Sequence, residues 1–164
     1  MEKEIIILGK GPSYKSFNQE KLKDIWTTQA TYNELTEDEQ VKITKVFRLH
    51  PFELELPPNK YGITLDFQFI PINKIRDIFG DQMHSSIAWL VATAVLTDNK
   101  IIKMYGVDLL NSEERGPQRD GLFRLMGLCE SFGAQFITPV NSGMFLPPQL
   151  YGLQDFVKEL NNGK

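Results

Sequence analysis

The residues of this chain whose types and positions could do chemistry fall in three short segments. Gly9-Lys10-Gly11-Pro12-Ser13 follows directly on the apolar run Ile5–Leu8. A glycine turn that leaves an apolar strand is where parallel α/β sheets hold phosphates. Gly9 and Gly11 can adopt positive φ and let a ligand approach the backbone. Ser13 is placed to cap a helix or to turn its hydroxyl to a phosphate. The competing reading is a tight turn without a ligand, because the pattern is neither GxGxxG nor GxxxxGK[ST].

The second segment, Met83-His84-Ser85-Ser86, precedes the most apolar helical stretch of the chain. Ser85 or Ser86 should cap that helix, and its free N–H groups and positive dipole end make an anion seat. Capping alone is the plainer alternative. The third segment is Tyr105-Gly106-Val107-Asp108-Leu109. Asp108 stands just past an apolar strand, where its carboxylate could orient a ribose, an acceptor or Mg²⁺, or could merely cap the next element. No second acidic residue lies at ligand spacing from it, so no metal site is predicted.

His50 and His84 are the two histidines and the acid–base candidates at neutral pH. His50 closes a strand and reads as structural or solvent-facing, whereas His84 adjoins the anion seat. Arg115, Arg119 and Arg124 follow the Asp108 segment. One could clamp a phosphate, but a solvated face is the expectation. Cys129 lies on the apolar side of its helix and reads as inert core, as do Trp26 and Trp89.

Alternating elements must position these segments. The hydrophobic pattern predicts strands over Ile5–Leu8, Asp24–Thr28, Ile43–Leu49, Phe67–Pro71, Lys100–Val107 and Gln135–Pro139. It predicts helical turns at 18–23 and Ala30–Leu35, and helices over Asn73–Phe79 (capped by Asn73), Ser85–Leu96, Asp120–Phe132 and about 153–161. Glu37–Gln40 reads as a charged surface segment, and 53–62 and 111–117 as loops. This βα alternation implies one α/β domain over 1–164, a single doubly wound, mostly parallel sheet of about six strands. Ligands of such sheets bind outside the carboxyl ends of the strands. That rule selects Gly9–Ser13, Thr27–Gln29, His50, His84–Ser86, Gly106–Asp108 and Val140–Ser142.

Composition narrows the function classes. A net charge of −3 gives no footprint for nucleic acid. One cysteine leaves no internal disulfide and no Cys-rich zinc site. The longest apolar run, near 87–96, is far short of the ~20 residues that span a bilayer. The expectation is a cytoplasmic protein without a membrane partner, and the composition leaves a homo-oligomer open.

Read together, GKGPS (9–13), HSSIAWLVATAVL (84–96) and KMYGVDLL (103–110) resemble a Rossmann-like group. It comprises the 6-hydroxymethylpterin diphosphokinase-like proteins and the bacterial sialyltransferases, with uncharacterised phage proteins alongside. The resemblance implies a nucleotide site built from the glycine loop and the serine-rich helix start. It would take a nucleoside triphosphate in the pterin enzymes and a cytidine nucleotide sugar in the sialyltransferases. This chain has Lys10 where the group usually has Asn or Ala, and no histidine follows His84. The reading is a nucleotide or nucleotide-sugar binding protein, a small glycosyl- or diphosphoryl-transferase if catalytic. Gly9, Gly11, Ser13, Ser85 and Ser86 would hold the ligand, with Mg²⁺ as a companion of the nucleotide. Asp108 and His84 would carry the chemistry. The alternative is a non-catalytic accessory or phage assembly protein that keeps the fold.

Overall fold

Ile5, Ile6, Ile7 and Leu8 are all fully buried, and they explain the architecture. Successive side chains of a strand point to opposite faces. Ile5 and Ile7 therefore enter one core cluster, and Ile6 and Leu8 enter another. A strand apolar on both faces needs helices on both faces. A computed structural model describes residues 2–21, 24–49, 66–109, 116–140 and 142–145. The predicted loop 53–62, the predicted tail helix near 153–161, His50 and Arg115 lie outside the described residues.

The strands are β1 (Lys3–Leu8), β2 (Ile25–Thr28), β3 (Lys45–Arg48), β4 (Asp66–Phe69), β5 (Asn99–Tyr105) and β6 (Gln135–Ile137). They form one sheet in the order β4-β3-β2-β1-β5-β6, and every pairing is parallel. The α/β reading is therefore correct. The helices are α1 (Gln29–Tyr32), α2 (Glu37–Gln40), α3 (Ile72–Phe79), α4 (Ser86–Leu96) and α5 (Pro117–Ser131). Helices α3, α4 and α5 cover the face of Ile5 and Ile7. Phe17, Tyr32, Leu35 and Ile43 cover the face of Ile6 and Leu8.

Four local expectations change. The helical turn expected at 18–23 lies upstream, as a 3-10 helix over Pro12–Gln19. Pro12 presets the first helical φ, and Phe17 is buried under the sheet. Helix α2 replaces the charged surface segment, because Thr36 and Glu39 form a reciprocal capping box. Helix α3 starts after Pro71 rather than at an Asn73 cap. Helix α5 starts at Pro117, three residues early in the chain relative to Asp120, with the proline again in the first turn.

The register positions the site. Leu8 pairs with Tyr105, so β1 and β5 end level and their turns emerge side by side. From there β1 connects toward β2 on one side and β5 toward β6 on the other. The crevice between these two carboxyl ends is the topological switch point where doubly wound sheets bind ligands.

Candidate functional site

A cleft of about 530 Å³ opens at that switch point, within the range of small-ligand pockets. Its walls are the turn after β1 (Gly9, Lys10, Gly11, Pro12), the turn after β5 (Gly106 to Leu109), the start of α4 (Ser85, Ser86, Ile87), a polar wall after β2, and Gln118 of α5. Five of the seven residues expected to hold the ligand or carry the chemistry thus meet: Gly9, Gly11, Ser85, Ser86 and Asp108.

The two turns interlock through glycine backbone. Gly9 N–H donates to Tyr105 O at 2.8 Å, and Gly11 N–H donates to Gly106 O at 2.7 Å. A Cβ on Gly11 would lie 2.6 Å from Asp108 Oδ2 and 2.8 Å from Gly106 O. The expectation of positive φ at Gly9 and Gly11 is corrected here. Gly11 sits at φ −66°, and the left-handed member of the interlock is Gly106 at φ +68°. Glycine is required at 9 and 11 for close approach of two backbones, not for a left-handed turn.

Ser13 lies outside the cleft lining and is 1% exposed. Its Oγ accepts from Gly106 N–H at 3.0 Å, so the hydroxyl satisfies a buried backbone donor. Its own N–H donates to Asp108 Oδ2 at 2.7 Å. Asp108 Oδ1 accepts from Gly143 N–H at 3.1 Å. The carboxylate therefore clamps the first turn of the 3-10 helix to the segment after β6, while one edge of Asp108 lines the cleft.

This network changes what the glycine loop can offer. The N–H groups of Gly9, Gly11 and Ser13 are all committed, and Pro12 has none. The start of α4 is different. Ser85 is an extended N-cap whose Oγ accepts from Ala88 N–H at 3.2 Å. Ser86 and Ile87, the next two residues, line the cleft. Their N–H groups have no partner among the described residues, as the first helical turn dictates. No acidic side chain occupies that turn.

His84 is exposed and lies outside the cleft lining. It borders a neighbouring depression of about 370 Å³ with Leu49, Met83 and Trp89, which shares Ser85, Ser86 and Gln118 with the cleft. The imidazole lies against Gly121 of α5, where a Cβ would come 2.5 Å from its Cδ2. Arg119 and Arg124 also stay outside the cleft lining. Arg119 donates to Met144 O at 3.0 Å and stacks over Phe123. Cys129 is fully buried, and burial pushes its thiol up to about 12.

The polar wall after β2 went largely unread in the sequence. It consists of Thr28, Thr31 and Glu34. The strand-end rule reached Thr28, and the spacing of three residues on a helical turn would have added the other two. Glu34 Oε1 pairs with Lys10 Nζ at 3.2 Å, and both residues line the cleft. Among the described residues, no three His, Cys, Asp or Glu side chains are grouped to hold a metal ion. Asp108 accepts from two N–H donors, and Glu34 pairs with Lys10. No helix among the described residues is long and apolar enough to cross a membrane.

Neither a protein-family model nor a curated protein sequence matches this chain. Among solved structures it is similar to the sialyltransferase CstII from Campylobacter jejuni, determined in complex with the substrate analogue CMP-3FNeuAc. The TM-score is 0.45 at 14% identity, over 83% of this chain and 79% of that chain. The likeness is a distant one of fold.

Proposed function

We propose that the switch-point cleft binds a nucleotide or nucleotide sugar, with its phosphate at the start of α4. One observation carries this reading. Ser86 and Ile87, whose N–H groups are uncommitted, line a cleft at the end of a parallel sheet, and no acidic side chain fills their turn. Lys10 supplies a cation at the same cleft. Gly9, Gly11 and Ser13 shape the floor rather than cradle the phosphate.

Transfer from a nucleotide-activated donor is the chemistry this layout suits. The acceptor would enter the depression beside Ser85 and Ser86, where His84 could take or give a proton. Asp108 would act as a positioning residue through Ser13 and Gly143. A non-catalytic accessory role is favoured by one specific fact: both Asp108 oxygens already accept hydrogen bonds.

A thermal-shift screen separates the two. The probes are cytidine, uridine, adenosine and guanosine phosphates and their sugar conjugates, with and without Mg²⁺. A ligand at a hundredfold excess over its Kd should stabilise the fold by about 2.7 kcal/mol. A flat screen across all probes overturns the nucleotide reading and turns the balance to the accessory role.

A further inference from the structure

We propose that Glu34 is the sugar-reading residue of the cleft, and that it selects a ribonucleotide with free 2′- and 3′-hydroxyls. This rests on the reading that the cleft binds a nucleotide. The charged groups among the described lining residues are Lys10, Glu34 and Asp108. Asp108 is spent on Ser13 and Gly143. Thr28 turns its hydroxyl to Thr31 Oγ at 3.2 Å, and its Oγ also accepts from Thr31 N–H. That leaves Glu34 as the carboxylate of the lining whose partner is another exposed side chain.

The partner is Lys10, 3.2 Å away, with the two side chains 60% and 57% exposed. Such a pair contributes little and opens easily. A phosphate entering the cleft competes for Lys10, which is carried by the turn after β1. Glu34 is then released as an acceptor-only group with two oxygens. Two adjacent hydroxyls match those oxygens, as a cis-diol donates to both at once. A 2′-deoxy sugar forfeits one charge-assisted bond, and a 2′-phosphate meets a like charge.

The test uses CMP, UMP, AMP and GMP, each beside its 2′-deoxy counterpart, titrated calorimetrically into wild type, Glu34→Ala and Lys10→Ala. Both residues are exposed, so the variants should fold, and circular dichroism checks this. In wild type the ribonucleotide should bind about tenfold more tightly than its deoxy form, equivalent to about 1.4 kcal/mol. Glu34→Ala should erase that ratio, while Lys10→Ala should weaken both sugars equally. Equal affinities in wild type overturn the proposal while leaving the nucleotide reading intact. So does a ratio that survives Glu34→Ala, or a Glu34→Ala loss that falls equally on both sugars. Binding of none of the eight probes, nor of the sugar conjugates of the four ribonucleotides, overturns the nucleotide reading and this proposal together.

Discussion

Asp108 Oδ2 accepts a 2.7 Å hydrogen bond from the backbone N–H of Ser13, 95 residues earlier in the chain. The same serine returns an acceptor to Gly106 N–H at 3.0 Å. Two turns that belong to different βα units are thereby locked into one floor beneath the cleft.

Asp108→Asn should test that lock. The amide keeps one acceptor oxygen and sets an NH₂ group against the other N–H donor. Losing a buried hydrogen bond to a charged group costs about 1.5–3 kcal/mol. The melting temperature should fall by several degrees, and calorimetric unfolding reads it directly. An unchanged transition would show that the clamp contributes nothing.

Glycine substitutions should split by position. Gly11→Ala drives a methyl against Asp108 Oδ2 and Gly106 O, and both belong to the floor. It should destabilise the protein by about 1–3 kcal/mol, as overpacking does. Gly127 lies within α5 with nothing within 4 Å of an added Cβ. Gly127→Ala should stabilise by about 0.5–1 kcal/mol. Urea denaturation of the two variants side by side checks the contrast in sign.

Ser86→Asp places a carboxylate in the first turn of α4. It should stabilise the helix by roughly 0.3–1 kcal/mol through the dipole. The same charge should remove any thermal shift caused by a nucleotide, because it occupies the anion seat. A variant that still responds fully to the ligand would move the phosphate site elsewhere.

Stability at high pH should depend on Tyr105. Burial first, and then its hydrogen bond to Glu20, push the phenol from an ordinary 10.0 up to about 12. The folded state therefore holds the proton where the unfolded chain releases it. This stabilisation is fully present below pH 10 and is lost as pH rises toward 12. Glu20 is shifted the other way, downward, mainly by the Tyr105 hydroxyl. Its contribution is present above the unfolded carboxylate value and fades as pH falls through the folded one. Tyr105→Phe should flatten the alkaline limb and should remove a late-titrating phenolate from the absorbance titration of the wild type.

Cys129 should be inert in the native state. Its thiol is fully buried and pushed up to about 12 by burial. A thiol reagent at pH 8 should label it only at the rate of unfolding. Rapid stoichiometric labelling of native protein would show that α5 opens locally.

The sequence by itself determined the α/β class, because period-2 and helical apolar patterns report burial directly. Four adjacent apolar residues, Ile5 to Leu8, had to be a strand covered on both faces. The serines before α4 were legible as caps, since capping is decided within four residues. The Thr36–Glu39 box and the prolines at 12 and 117 were equally local signals and show where helices begin. Only the tertiary structure decided which polar groups remain available. That Ser13 turns inward, that both Asp108 oxygens accept backbone N–H groups, and that the Gly9 and Gly11 N–H groups bond Tyr105 and Gly106 all depend on the level ends of β1 and β5. His84 falls beside the cleft because Gly121 of a distant helix leaves room for its ring. Glu34 meets Lys10 only once β2 lies against β1. Hydrogen-bond donors are committed by neighbours in space, and those neighbours lie tens of residues apart in the chain.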